Sequence, residues 1–206
     1  MSGARVDRDL LLNGMKHLTV KEKEMEAFEK MKTAFHYKNA MAAPRMQKVV
    51  LNVGTGGAIK KDKNRNEAVA LRLSKISGQA PVKRGAKQSI ASFKTRQGDP
   101  IGIVVTLRGS RMYAFLEKLI NVAIPRTKDF RGIPLSAVDN IGNLTIGIRE
   151  HTIFPETADE DIRDVFGLSI ALVSSAKNKK DGTAFFEILG VPFRKEEPAR
   201  AGGGKK

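Results

Sequence analysis

Two short stretches restrict the possible folds of this chain more than anything else in it. Over residues 47–54, QKVVLNVG, Val49, Leu51 and Val53 fall on one side of an extended backbone, and Lys48, Val50 and Asn52 fall on the other. Over residues 101–108, IGIVVTLR, Ile103, Val105 and Leu107 share one side, while Gly102, Val104, Thr106 and Arg108 share the other. Alternation with period two predicts half-buried strands, with one face on a core and one face open. If both strands lie in one sheet, their polar sides form an open surface rather than a second core.

Helical periodicity surrounds these strands. Met25, Phe28, Met31, Lys32 and Phe35 recur at three- and four-residue steps, predicting an amphipathic helix over 21–35. Its other faces alternate Glu22, Glu24, Glu26 and Glu29 with lysines. A second helix is predicted over 66–77, with Val69, Leu73 and Ile76 inward and Arg72 and Lys75 elsewhere; Gly78 and Pro81 end it. Ser110 is the expected cap of a third, whose apolar stripe is Met112, Phe115, Leu116, Leu119 and Ala123. A turn-rich region follows over 125–143, then strands over 144–149 and 168–174. A last helix over 180–189 directs Phe185, Phe186 and Leu189 to the core.

The interleaving of elements without a separating linker predicts an α+β fold, a mostly antiparallel sheet with helices on one face. Residues 1–15 read as an N-terminal extension, 16–195 as one domain and 196–206 as a flexible basic tail.

Charge indicates the class of partner. Between residues 57 and 97 there are eleven Lys and Arg, against Asp62 and Glu67 as the only acids. Residues 78–98 carry Lys83, Arg84, Lys87, Lys94 and Arg96 among glycines and small residues, with no carboxylate. The formal net charge is +15, which predicts attraction to polyanions. A glycine-punctuated basic segment can follow a curved phosphate backbone closely. The absence of cysteine excludes disulfides, a thiol nucleophile and cysteine-held metals. No run approaches the roughly 18–20 apolar residues that cross a bilayer. The N-terminal apolar part is too short for a signal peptide, so a soluble, cytoplasmic protein without a membrane partner is expected.

Catalytic patterns are missing. TGGAIKKDK after the first strand is neither a P-loop nor a dinucleotide fingerprint, and turn glycines are the plainer account. His17, His36 and His151 have no ligand spacing. Glu156, Asp159, Glu160, Asp161 and Asp164 lack the alternation of a calcium loop and read as an acidic helix start after Pro155. No catalytic, cofactor or metal residue is assigned.

The RNA reading names particular residues. Lys48, Asn52, Thr106 and Arg108 lie on the outward strand faces, where amide and hydroxyl groups can meet sugars and cations can meet phosphates. The face lacks the paired aromatics of a single-strand binder, so shape, phosphates and 2′-hydroxyls of folded RNA are the expected targets. Phe93 could stack on a base, but burial under its own loop is the favoured reading.

Several segments, in order, carry a family resemblance. They include PRMQKVVLNVGTG at 44–56, AKQSIASFKTRQGDPIG at 86–102, VTLRGSRMYAFLEKLI at 105–120, PRTKDFRG at 125–132, GNLTIGIREHTIFPE at 142–156 and GLSIALVSSAK at 167–177. Together they resemble the bacterial large-subunit ribosomal proteins that bind 5S ribosomal RNA, the L5 or uL5 family. The resemblance implies a structural role in the central protuberance, beside 5S and 23S ribosomal RNA and neighbouring proteins. Asn52, Gln79 and Thr106 match positions associated with 5S RNA contact. The loop around 81–92, with Lys83, Arg84, Lys87 and Gln88, matches the one that reaches the P-site tRNA. The region near 130–143 matches the part that bridges to a small-subunit head protein.

There are departures from the family pattern. The N-terminus is longer than the common form, the GGGKK tail is extra, and Arg84–Gly85 stands where a Thr–Arg-like pair is expected. The usual aromatic-Asp-Gly-Arg-Gly-Asn turn is replaced by Val138, Asp139, Asn140, Ile141, Gly142 and Asn143. An RNA-processing enzyme or a general basic RNA adaptor are the alternatives from other classes.

Overall fold

The computed structural model describes residues 18–56, 65–128, 130–157 and 165–194. Five strands form one antiparallel sheet: β1 Met46–Gly54, β2 Val82–Gly85, β3 Pro100–Leu107, β4 Leu144–Ile148 and β5 Leu168–Ser174. Their spatial order is β2-β3-β1-β5-β4, so the strand with the clearest alternation lies at the centre. The helices are α1 Val20–Phe35, α2 Arg65–Ser77, α3 Gly109–Lys118 and α4 Lys179–Leu189. A π-helical turn, Leu119–Ala123, continues α3. None of the described helices is long and apolar enough to cross a membrane. The α+β expectation holds; the extension at 1–15 and the tail at 196–206 lie outside the described residues.

The apolar strand sides build the core as the alternation requires. Val49, Leu51 and Val53 of β1, Ile103, Val105 and Leu107 of β3, and Leu168, Ile170 and Leu172 of β5 are all buried. Val69, Leu73 and Ile76 of α2 join the same cluster, with Met112, Phe115 and Leu116 of α3 and Phe185, Phe186 and Leu189 of α4. A fully buried leucine in such a layer stabilises by roughly 2 kcal/mol through burial alone.

Three local expectations need correction. The inward face of α1 is Val20, Ala27 and Met31, whereas Met25 is 68% exposed. Residue size misleads there, because small Ala27 is fully buried while larger Met25 is not. Thr19 caps this helix: its hydroxyl accepts the Glu22 N–H, and the Glu22 carboxylate accepts the Thr19 N–H at 2.7 Å. Ser110 does not cap α3; Gly109 at φ 60° turns the chain, Arg108 holds the cap position, and Ser110 is already helical. Arg72 of α2 is buried rather than turned away from the core.

The largest correction is β2. Residues expected as the first part of a basic loop pair with β3 in register, Val82 with Val104, Lys83 with Ile103 and Arg84 with Gly102. All four β2 residues are exposed, so no burial pattern marks the strand. Backbone pairing with β3 forms it, and its charged side chains suit an edge.

Candidate nucleic-acid interface

The strand register resolves the open side of the sheet into rows. One row runs Val82, Val104, Asn52, Ser169, Gly147 from β2 to β4. The next runs Thr106, Val50, Ala171, Thr145, and a third begins Arg84, Gly102, Gly54. Amide and hydroxyl groups therefore alternate with valines and bare backbone. A Cβ added at Gly54 or Gly147 would meet nothing within 4 Å, so another backbone can approach the sheet closely there.

The residues expected to touch RNA do not all converge. Asn52 is exposed near the middle of the face, and its Oδ1 lies 4.0 Å from where a Gly102 Cβ would stand. Thr106 is half-buried one row away. Gln79, in the turn that Gly78 opens at φ 66°, donates from Nε2 to the Thr106 carbonyl at 3.3 Å. Gln79 and Thr106 thus form one group at the end of β3. Lys48 is half-buried next to a bulge in the β1–β5 pairing and lies opposite Val173. Arg108 is exposed, just past the end of β3.

The basic segment divides between the two sides of the sheet. Arg84 shares the open side with Gly102, whereas Lys83 pairs with Ile103 and faces the helices. There its Nζ lies 3.7 Å from Glu67 Oε1, an exposed pair worth about 1 kcal/mol at most. Beyond β2, residues 86–99 fold back as a hydrogen-bonded hairpin. Ala86 N–H donates to Asp99 O at 2.8 Å, Gly98 N–H to Ala86 O at 3.0 Å, and Ile90 N–H to Thr95 O at 3.0 Å. Arg96 N–H reaches Asp99 Oδ2 at 2.7 Å. A Cβ at Gly85 would lie 3.0 Å from the Gly98 carbonyl, so glycine sets how closely the two arms approach.

Between this hairpin and the open face lies a groove of about 880 Å³. Asn52, Gly102 and Val104 form its floor, Arg84 its rim, and Lys87, Gln88, Ile90 and Phe93 its hairpin wall. Asn52 is thereby joined to Arg84, Lys87 and Gln88, residues that the sequence treats as two separate sites. Phe93 is 66% exposed, against the expectation of burial, because the hairpin is too thin to cover a ring. Ile90 and Gly102 line the groove but were not named from sequence as contact residues. The signal for Ile90 was proximity to the basic run, and that for Gly102 its place on the outward side of the second strand. The groove can hold a flat base against Phe93 and Ile90 while Arg84 and Lys87 meet phosphates.

Elsewhere, polar clusters serve packing. His151 is buried, its ring stacks on Phe166 at 4.1 Å between centroids, and its Nδ1 accepts the Phe166 N–H at 3.4 Å. His36 ends α1 at φ 53°, and His17 lies outside the described residues. Glu156 pairs with Lys118 at 2.6 Å; the rest of the acidic run, Asp159, Glu160, Asp161 and Asp164, lies outside the described residues. Among the described residues no group of three His, Asp or Glu could hold a metal ion. Burial raises the Glu24 carboxyl, which accepts the Tyr113 hydroxyl at 2.9 Å between α1 and α3, away from the open face.

Comparison with known proteins identifies the family. Residues 39–96 match the model for ribosomal protein L5, and residues 100–193 match the model for the C-terminus of the same ribosomal family. The chain is 52% identical over 166 residues to the large ribosomal subunit protein uL5 of Desulfatibacillum aliphaticivorans, covering 81% of this chain and 92% of that one. Against the uL5 protein of Leuconostoc citreum it is 45% identical over 185 residues, covering 90% of this chain and all of that one. A sheet with one open polar face, a basic groove at its edge and two family models spanning its length lead to one conclusion: the chain belongs to the L5 family of large-subunit ribosomal proteins, structural components of the ribosome and not enzymes.

Proposed function

We propose that this large-subunit protein holds 5S ribosomal RNA against the open face of its sheet, within the cytoplasmic ribosome. The observation that carries this reading is the register-built surface on which Asn52, Thr106 and Gln79 stand beside glycines that leave the backbone bare. Asn52 can donate and accept toward sugar and base edges, Thr106 and Ser169 offer hydroxyls, and Arg84, Lys48 and Arg108 neutralise phosphates. The valines between them exclude water and strengthen those polar contacts.

The hairpin of residues 86–99 supports the second element, contact with the P-site tRNA. Lys83, Arg84, Lys87 and Gln88 form its base, and exposed Phe93 is near its tip. The region 130–143 is the proposed bridge to the small-subunit head protein, with 23S ribosomal RNA and central-protuberance proteins as further neighbours. Residues 16–195 act as the single RNA-binding domain in this reading, with 1–15 and 196–206 as appendages.

The test is binding of purified 5S RNA, with an unrelated structured RNA as control. Asn52→Ala alone should cost about 1–3 kcal/mol, the value of a lost interfacial hydrogen bond that leaves its partner unpaired. The triple alanine variant at Asn52, Gln79 and Thr106 should lose selectivity. Wild-type binding by a folded triple variant removes the site assignment, and equal affinity for both RNAs indicates a general basic adaptor.

A further inference from the structure

The turn that carries Gln79 is held from the helical side of the molecule. α2 ends at Ser77, where the last carbonyls of a helix lack partners within it. Lys118, the last residue of α3, supplies one: its Nζ donates to Ile76 O at 2.7 Å and to Glu156 Oε1 at 2.6 Å. The same ammonium lies 5.9 Å from the Phe115 ring centroid and 6.0 Å from that of Phe154. A cation is favoured there by the negative end of α2 and by both aromatic faces. One residue on, the buried Ser77 hydroxyl donates to Leu73 O at 2.7 Å and accepts the Gln79 N–H at 3.3 Å. Gly78, at φ 66°, lets the chain reverse between them. Gln79 then donates from Nε2 to Thr106 O at 3.3 Å, while its Oε1 and second amide hydrogen have no protein partner among the described residues. One hydrogen of the amide anchors it, and a donor and an acceptor stay on offer.

We propose that Lys118 and Ser77 are positioning residues for Gln79: from the helical side they set where its free amide groups stand beside the open face. The inference rests on the 5S reading above. Location is the first argument. Asn52 is fixed by the register of β1 between β3 and β5, whereas Gln79 stands outside every strand. Its backbone is placed by the end of α2 instead, and Lys118 and Ser77 are the side chains that bond that end. Directness is the second. Lys118 binds the carbonyl just before Ser77, and Ser77 binds the backbone of Gln79 itself. Ordering is the third. A glutamine side chain is rich in rotamers, and a contact made by one already in place loses less entropy on binding. Glu156 plays a different part, because it balances the charge of Lys118 without touching the Ile76 carbonyl bond.

The experiment uses three variants of the full chain. Lys118→Met keeps the stem against both rings and removes the ammonium; Ser77→Ala removes one hydroxyl. Glu156→Gln breaks the ion pair but leaves the ammonium on Ile76 O, and serves as the control. The first readout is the Gln79 side-chain amide in the free protein by NMR, set against exposed Gln47, Gln88 and Gln97. Its two hydrogens should be well separated in wild type and in Glu156→Gln, and should move toward the values of the exposed glutamines in Lys118→Met. The second is 5S RNA affinity in a double-mutant cycle with Gln79→Ala. Lys118→Met should weaken binding about three- to ten-fold in the wild-type background and less than about two-fold in the Gln79→Ala background. Ser77→Ala should follow the same pattern, which decides the matter if Lys118→Met does not fold. An unmoved Gln79 amide in the folded variants, or the same loss of affinity in both backgrounds, overturns the inference and leaves the 5S reading standing. A loss in Glu156→Gln as large as in Lys118→Met also overturns it, since the ion pair would then be the cause. If Gln79→Ala binds 5S RNA as tightly as wild type, the functional reading loses that contact and this inference falls with it.

Discussion

The middle of the sheet and its β2 edge are built by different forces. In β1, β3 and β5 alternate side chains are buried along most of each strand, and the burial energy selects both the strand and its register. In β2 and the hairpin of 86–99 almost every side chain is exposed, and backbone hydrogen bonds hold the segment to β3 and to itself. The middle is thus sensitive to loss of volume, and the edge to loss of backbone geometry or charge. The protein separates the two kinds of surface, so the exposed edge can change without disturbing the core.

The sharpest way to break this comparison is a matched pair of truncations. Leu51→Ala, at a fully buried position on β1, should cost about 2–5 kcal/mol in urea unfolding. Phe93→Ala removes a larger side chain but should change stability by no more than about 0.5 kcal/mol. A large loss at Phe93 would mean that the hairpin is part of the core.

Glycines offer a second contrast. At Gly142, φ is 79° and a Cβ would lie 2.6 Å from that of Ala176, so Gly142→Ala should destabilise by about 1–3 kcal/mol. At Gly54 a Cβ meets nothing within 4 Å, so Gly54→Ala should leave the unfolding midpoint within error while hindering RNA approach. Equal effects on stability would erase the distinction between braced turns and the bare face.

The smallest effect concerns pH. Burial, with the Asp181 carboxylate nearby, pushes the Tyr37 phenol up to about 12; burial and the hydrogen bond to Glu24 do the same for Tyr113. These are the only two tyrosines, so absorbance at alkaline pH reports both. A folded pKa above the unfolded one means that the folded state keeps its proton longer. Stability from this source is fully present below about pH 10 and is lost as pH rises toward 12. Tyrosinate absorbance in the native protein near pH 10 would contradict the packing of α1 against α3 and α4.

Much of the middle was legible before the structure. Alternation located β1 and β3, the apolar run located β5, and Phe185, Phe186 and Leu189 located α4, because burial writes itself into residue type. The edge was not legible. Four exposed residues in β2 carry no period, and the hairpin is closed by backbone groups that every residue possesses. Residue size misplaced Met25 and Phe93, since packing geometry, not hydrophobicity, decides which apolar groups find cover. Most of the candidate residues could be named, but their grouping could not. Asn52 meets Arg84 and Lys87 only through the pairing of β1, β3 and β2, which is a property of register rather than of any local stretch.

Whether the open side of this sheet is the RNA side is tested most directly by amide-resolved NMR of the full chain, titrated with 5S RNA. Shifts should concentrate at Asn52, Gly54, Gly102, Thr106 and Ser169 and in the 86–99 hairpin, with α1 and α4 nearly unmoved. Perturbation confined to the helical side, or spread evenly over the basic surface, would contradict that assignment.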